Sequence, residues 1–209
     1  MAEQGNKSIL IVFVKNLIAG KVKTRMAKTL GDAKTLEIYK DMLLKIKEVI
    51  KFLPFEKAIF YSDEIDNNDI WENDIYQKYQ QEGDDIGVRM HNAFEKMYNK
   101  GYGKITLIGS DCYQLTCSIV MASFRFLNDH EVVIGPAQDG GYYLIAMKGL
   151  YNGLFEDKDW STDKVLKQTK EYLIKYNIKH TFVTELNDLD DEEDLRQSAP
   201  DLLEKYHLA

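Results

Sequence analysis

Four short segments of the chain carry side chains whose types and spacing suit a phosphorylated ligand and a hard cation. The first is KNLIAGKVKTR, with Lys15, Asn16, Gly20, Lys21, Lys23, Thr24 and Arg25. Several cations around a glycine that lets backbone amides approach a ligand, just ahead of a helix start, are what binding a diphosphate requires. A solvated basic loop has the same composition, so this segment gains meaning only in company. It is not a Walker loop, because the first glycine of G-x-x-x-x-G-K-[ST] is missing, and the chain has no G-x-G-x-x-G. The second segment is Gly109-Ser110-Asp111, after the apolar run KITLIG. A carboxylate at a strand's carboxyl end could hold a divalent cation that bridges phosphate oxygens, although strand-end aspartates also form turns and cap helices. The third, GPAQDGGYY over 135–143, joins two strands through Asp139, Gly140 and Gly141, where paired glycines serve either a plain turn or a close approach to a ligand. The fourth is Asn187-Asp188-Leu189-Asp190, ahead of Glu192, Glu193 and Asp194. Those last three are expected in the first turn of a helix on dipole grounds alone, whereas Asp190 could converge with Asp111 on one metal ion.

Residues so far apart meet only if the chain builds a sheet that brings strand ends together. Ser8 to Val14 is a β-branched apolar run of the kind buried on both faces of a sheet. Leu36, Tyr39, Leu43, Ile46 and Ile50 recur at helical steps behind Asp32, a candidate cap. A strand over Lys57 to Tyr61, a helix face through Ile86, Met90, Ala93 and Met97, and a strand over Lys104 to Gly109 continue the alternation. Further along come a helix over Thr116 to Leu127, strands over Glu131 to Gly135 and Tyr142 to Met147, and a helix over Thr162 to Tyr176. A strand over Lys179 to Val183 and one closing helix over Glu192 to Tyr206 end the series. The pattern predicts a single α/β domain over 1–209, with a mostly parallel central sheet covered by helices on both faces and a flexible start over 1–7. In such sheets, ligands bind outside the carboxyl ends of the strands, which is where all four segments fall.

Bulk properties narrow the function classes. The chain has 209 residues, the size of one large core. Every long apolar stretch is interrupted by charge before the roughly 18 to 20 residues a bilayer span needs, so a cytoplasmic protein without a membrane span is expected. A net charge of −7 argues against a nucleic-acid surface, because backbone phosphate affinity needs clustered Lys and Arg. Cys112 and Cys117 fit neither a C-x-x-C redox pair nor a zinc site and read as reduced packing thiols.

Six stretches, taken in order, resemble an uncharacterised bacterial family of GT-A-like transferases, described as glycosyltransferase-like and associated in some members with radical-SAM or selenoprotein pathways. They are FVKNLIAGKVKTRMAKTLG (13–31), DDIGVRM (84–90), LIGSDCYQLT (107–116), VVIGPAQDGGYYLIAM (132–147), WSTDKVLKQT (160–169) and LNDLDDEEDL (186–195). The resemblance implies the nucleotide-diphospho-sugar transferase superfamily and its GT-A-like fold. By it, Asp111 stands at the DXD-type metal position, flanked by Ser110 and Cys112 rather than a second carboxylate, and Asp190 at the late metal ligand before a T-P-E-D-L-like helix start. Leu17 and Ala19 replace the prolines usual in the first motif, which loosens that loop. The implied activity is glycosyl transfer from a nucleotide diphosphate sugar to a small-molecule acceptor, with Mg²⁺ or Mn²⁺ on Asp111 and Asp190. Lys15, Gly20, Lys21, Lys23, Thr24, Arg25, Gly140 and Gly141 would hold the donor, and Asp139 would act as the base. Arg89 would add a cationic contact or pair with Asp84 or Asp85, and Trp160, Ser161 and Thr162 would line the acceptor pocket or cap a helix. Nucleotidyl transfer from a nucleoside triphosphate, releasing pyrophosphate, is the competing chemistry. A non-catalytic nucleotide-binding protein is the competing class.

Overall fold

The structure, a computed structural model, describes residues 7–208. The expected flexible start over 1–7 lies outside these residues apart from Lys7, which opens β1 (Lys7–Val14). Successive β1 side chains alternate between two cores. Leu10, Val12 and Val14 belong to one, Ile9, Ile11 and Phe13 to the other. This period-two division, with both faces apolar, is why the run contains almost no polar residue.

The remaining strands are β2 (Glu56–Tyr61), β3 (Tyr76–Gln80), β4 (Tyr102–Gly109), β5 (Val132–Pro136), β6 (Tyr142–Met147) and β7 (His180–Phe182), in the sheet order β3-β2-β1-β4-β6-β5-β7. All neighbours are parallel except those of β6, which runs antiparallel to β4 and β5. The connection over 137–141 is too short for a crossover helix, so β6 must turn back beside β5. On one face lie α1 (Thr24–Leu30), α2 (Asp32–Ile50), α4 (Cys117–Phe126), α6 (Glu192–Ser198) and α7 (Pro200–Tyr206). On the other lie α3 (Ile86–Asn99) and α5 (Val165–Lys175). The predicted α/β class is therefore observed. No helix among the described residues is long and apolar enough to cross a membrane.

The chain builds outward from β1 to β2 and β3, then returns to place β4 on the other side of β1. The crevice at the carboxyl ends of β1 and β4 is thus the point where strand order reverses, the usual ligand position in open α/β sheets.

Local corrections have physical causes. Edge strand β3 is missing from the predicted elements because YQKYQ buries only Tyr76 and offers no apolar run. Seven residues of the expected polar loop form α1, held by Met26, which is fully buried. Asp32 is the first residue of α2 rather than its cap; Gly31 occupies the cap position without a side-chain bond. The closing helix is two, because Pro200 has no N–H to continue the ladder and opens α7 instead. The helix expected from Thr162 starts at Val165, with Lys164 as its cap residue and Ser161 at φ 62.

Candidate active site

Two tethers draw the chemistry-bearing loops together. Tyr39, on α2 and 1% exposed, accepts a hydrogen bond from Lys15 N at 2.9 Å and shares another with Ser110 Oγ at 2.9 Å. It ties the end of β1 to the end of β4. Burial first, and the charge of Asp111 second, push its phenol far above the ordinary value, so it bonds as a neutral hydroxyl. The second tether is backbone: Leu189 N donates to Asp111 O at 2.9 Å. Leu189 is fully buried, and Asp188 and Asp190 on either side of it line one cleft with Asp111.

The result is a cleft of about 700 Å³ at the sheet's carboxyl edge. Lys15, Lys23, Thr24, Arg25, Arg89, Asp111, Asp139, Gly141, Asp188 and Asp190 line it. Lys23 joins its two acidic sides. Its Nζ is 2.7 Å from Asp111 Oδ1 and 2.9 Å from Asp190 Oδ1, and Arg25 Nη2 is 2.8 Å from Asp190 Oδ2. The Lys23 backbone is left-handed at φ 44, ψ 51, a conformation that costs a non-glycine residue on the order of 1 kcal/mol or more and persists where the surroundings impose it. Burial would lower the Lys23 ammonium, but the two carboxylates outweigh it and hold the group well above the usual lysine range. Burial likewise works against ionised Asp190, and Lys23 and then Arg25 reverse it, leaving that carboxyl below its ordinary value. Among the described residues, Asp188 pairs with no cation, and the charge of Lys23 offsets its burial only in part. Desolvation, then the charge of Asp111, push it up to about 7, and its Oδ1 is buried without a hydrogen bond.

The other expected residues are placed as follows. Asp139 is exposed at the cleft rim, with Oδ1 accepting from Gly141 N at 2.8 Å. Gly140, at φ 88, supports rather than lines the cleft: its carbonyl accepts from Leu166 N at 2.8 Å, and an added Cβ would fall 2.3 Å from Asp163 O. Gly20 and Lys21 also lie outside it, Gly20 facing Asp32 and Lys21 pairing with Asp63 at 3.7 Å on the surface. Arg89 makes neither expected ion pair. Its Nε donates to Gly83 O at 2.8 Å, while Asp85 caps α3 by accepting from Val88 N. Trp160, Ser161 and Thr162 are on the cleft wall, the Trp160 ring against Gly87 so closely that a Cβ there would come within 2.2 Å of its Nε1. Tyr142 stands edge-on to Trp160, and Tyr143 packs into the core with its hydroxyl donating to Thr184 O at 2.7 Å. Sequence reasoning left Asp188 and Tyr39 out of the site. Two-residue spacing from Asp190 could have found Asp188; nothing local marks Tyr39, which reads as one more apolar helix position.

A model of a bacterial family described as uncharacterized conserved proteins, DUF2064, matches residues 45–162. The chain belongs to DUF2064. The match includes Arg89, Asp111 and Asp139, while Lys23, Arg25 and Asp190 come from outside the matched span and are joined to Asp111 by the geometry above. No curated protein matches the chain. Among solved structures, a provisionally assigned nucleotide-diphospho-sugar transferase from Desulfovibrio desulfuricans G20 is similar over 96% of this chain and 95% of its own, with a TM-score of 0.84 and 26% identity. The 4-diphosphocytidyl-2C-methyl-D-erythritol synthase of Anaerococcus prevotii DSM 20548 aligns over 94% and 98% with a TM-score of 0.57 and 11% identity. The inositol-1-phosphate CTP transferase of T. maritima aligns over 97% of both chains at 0.54 and 14%. The DUF2064 chain therefore has the fold of the nucleotide-diphospho-sugar transferases and cytidylyltransferases.

Proposed function

We propose that this protein is a nucleotide-using transferase, and that it transfers a glycosyl group from a nucleotide diphosphate sugar to a small-molecule acceptor. The observation that supports the reading is the meeting of Lys15, Lys23, Thr24 and Arg25 with Asp111 and Asp190 in one cleft at the strand-order reversal. Negative charge grows on a departing diphosphate, so fixed cations there stabilise the transition state more than the ground state. Asp111 and Asp190 suit a Mg²⁺ or Mn²⁺ ion as a carboxylate pair completed by phosphate oxygens, an ion that would neutralise leaving-group charge. Asp139, open at the rim, is the proposed base for the acceptor hydroxyl, and the wall formed by Trp160 and Tyr142 is the proposed acceptor side.

The relation in fold to cytidylyltransferases keeps nucleotidyl transfer as the second reading. The test is to incubate the protein with nucleotide sugars and, separately, with nucleoside triphosphates plus phosphorylated acceptors, assaying nucleoside diphosphate against pyrophosphate. Nucleoside diphosphate release, with donor binding weakened about tenfold or more by Arg25→Ala, is expected. Pyrophosphate release would overturn glycosyl transfer. The absence of turnover and of nucleotide binding would overturn the transferase reading altogether.

A further inference from the structure

Neither carboxylate of the proposed metal pair is free. One ammonium, that of Lys23, lies 2.7 Å from Asp111 and 2.9 Å from Asp190, and only 5% of its side chain is exposed. Arg25 takes the other oxygen of Asp190. A divalent cation approaching this pair alone meets a positive charge where its own ligands should be. Repulsion between charges a few ångströms apart, even in the partly screened environment of a cleft, weakens such binding on the order of 100-fold or more. Among the described residues, no set of three His, Cys, Asp or Glu side chains could hold a metal. Phosphate oxygens would have to complete the coordination sphere. The same oxygens are natural partners for an ammonium, and Lys23 already lines the cleft in which they would sit.

We propose that Lys23 is a cationic plug: in the ligand-free protein it closes Asp111 and Asp190 to divalent cations, and it releases them only to a nucleotide whose phosphate oxygens take the ammonium over. Metal then binds only where nucleotide has bound. The plug rests on the nucleotide-binding reading above and adds to it an order of assembly and a residue that enforces it. It also keeps the two carboxylates from collecting free cations.

Mn²⁺ binding, followed by the loss of the free-ion electron paramagnetic resonance signal, tests the plug without any activity assay. Wild-type protein alone should leave the signal unchanged. Wild-type protein with ADP, CDP, GDP or UDP should take up Mn²⁺ beyond what the nucleotide binds in buffer, for at least one of the four. Lys23→Met should bind Mn²⁺ without nucleotide, on the order of 100-fold more tightly than wild type, and Mn²⁺ should raise its melting temperature. The variant is expected to fold, because 39% of the Asp111 side chain and 29% of that of Asp190 remain open to water. Wild-type protein that binds Mn²⁺ alone as tightly as Lys23→Met overturns the plug, and so does a folded Lys23→Met that binds none. If the variant does not fold, the wild-type arms decide: uptake that is equal with and without a nucleotide shown to bind overturns it, and uptake only with nucleotide supports it. Failure of all four nucleotides to bind by calorimetry counts instead against the nucleotide reading, and the comparison of Lys23→Met with wild type still judges the plug.

Discussion

Removing the Tyr39 hydroxyl separates the cost of a buried tether from that of a surface one. Phenylalanine fills the same space but leaves Lys15 N without its 2.9 Å acceptor and Ser110 Oγ, in a residue only 4% exposed, without its 2.9 Å partner. A buried polar group stripped of its partner costs about 1–3 kcal/mol, so two of them, one in a better hydrated position at Lys15, place Tyr39→Phe at about 2–4 kcal/mol. For a chain of this size the melting temperature falls by about 2–4 °C per kcal/mol, giving a drop on the order of 5–15 °C. Tyr113→Phe deletes the same atom from a hydroxyl that donates to Asp201 at 2.6 Å in an exposed setting, and should cost no more than about 0.5 kcal/mol. Urea and thermal unfolding of the two variants measure the difference directly. Because the Tyr39 tether sets the spacing between the β1 end and the β4 end that bears Asp111, nucleotide affinity should fall in Tyr39→Phe and not in Tyr113→Phe. Equal stabilities within about 0.5 kcal/mol would refute this difference, which comes from burial and not from the presence of a hydroxyl.

Other perturbations probe the surrounding loops. Gly140→Ala puts a side chain on a residue at φ 88 and a Cβ 2.3 Å from Asp163 O, so it should destabilise the protein by more than about 2 kcal/mol in urea titrations and displace the segment carrying Trp160. Asp188 is held up at about 7 from an ordinary 3.8, so the folded protein keeps a proton that the unfolded chain gives up. The stability this contributes is fully present below about pH 4 and is lost as pH rises through 7, by up to about 4 kcal/mol. Asp188→Asn should remove that slope; identical pH–stability curves for the variant and wild type would show that water or a counter-charge already compensates the carboxylate.

The alternation of apolar runs was enough to specify an α/β sheet with helices on both faces, because burial on two sides leaves a continuous apolar signature in β1, β4, β5 and β6. It also marked the loops that hold charge, since Lys15 to Arg25, Asp111, Asp139 and Asp190 all follow strands. Other features were fixed only by long-range packing. YQKYQ became β3 through pairing with β2 at the sheet edge, a hydrogen-bonding opportunity that leaves no hydrophobic pattern. The loop cations parted company, Lys21 to the surface and Lys23 to the interior, because a left-handed turn at Lys23 and the burial of Met26 and Val22 orient that stretch. Most of all, a string of residues does not state which cation meets which carboxylate. Lys23 meets Asp111 and Asp190 in a structure where Tyr39 ties the ends of β1 and β4 and the Leu189 amide holds the last loop to Asp111. Charge type is a property of single residues, while charge pairing at 2.7–2.9 Å is a property of the assembled sheet.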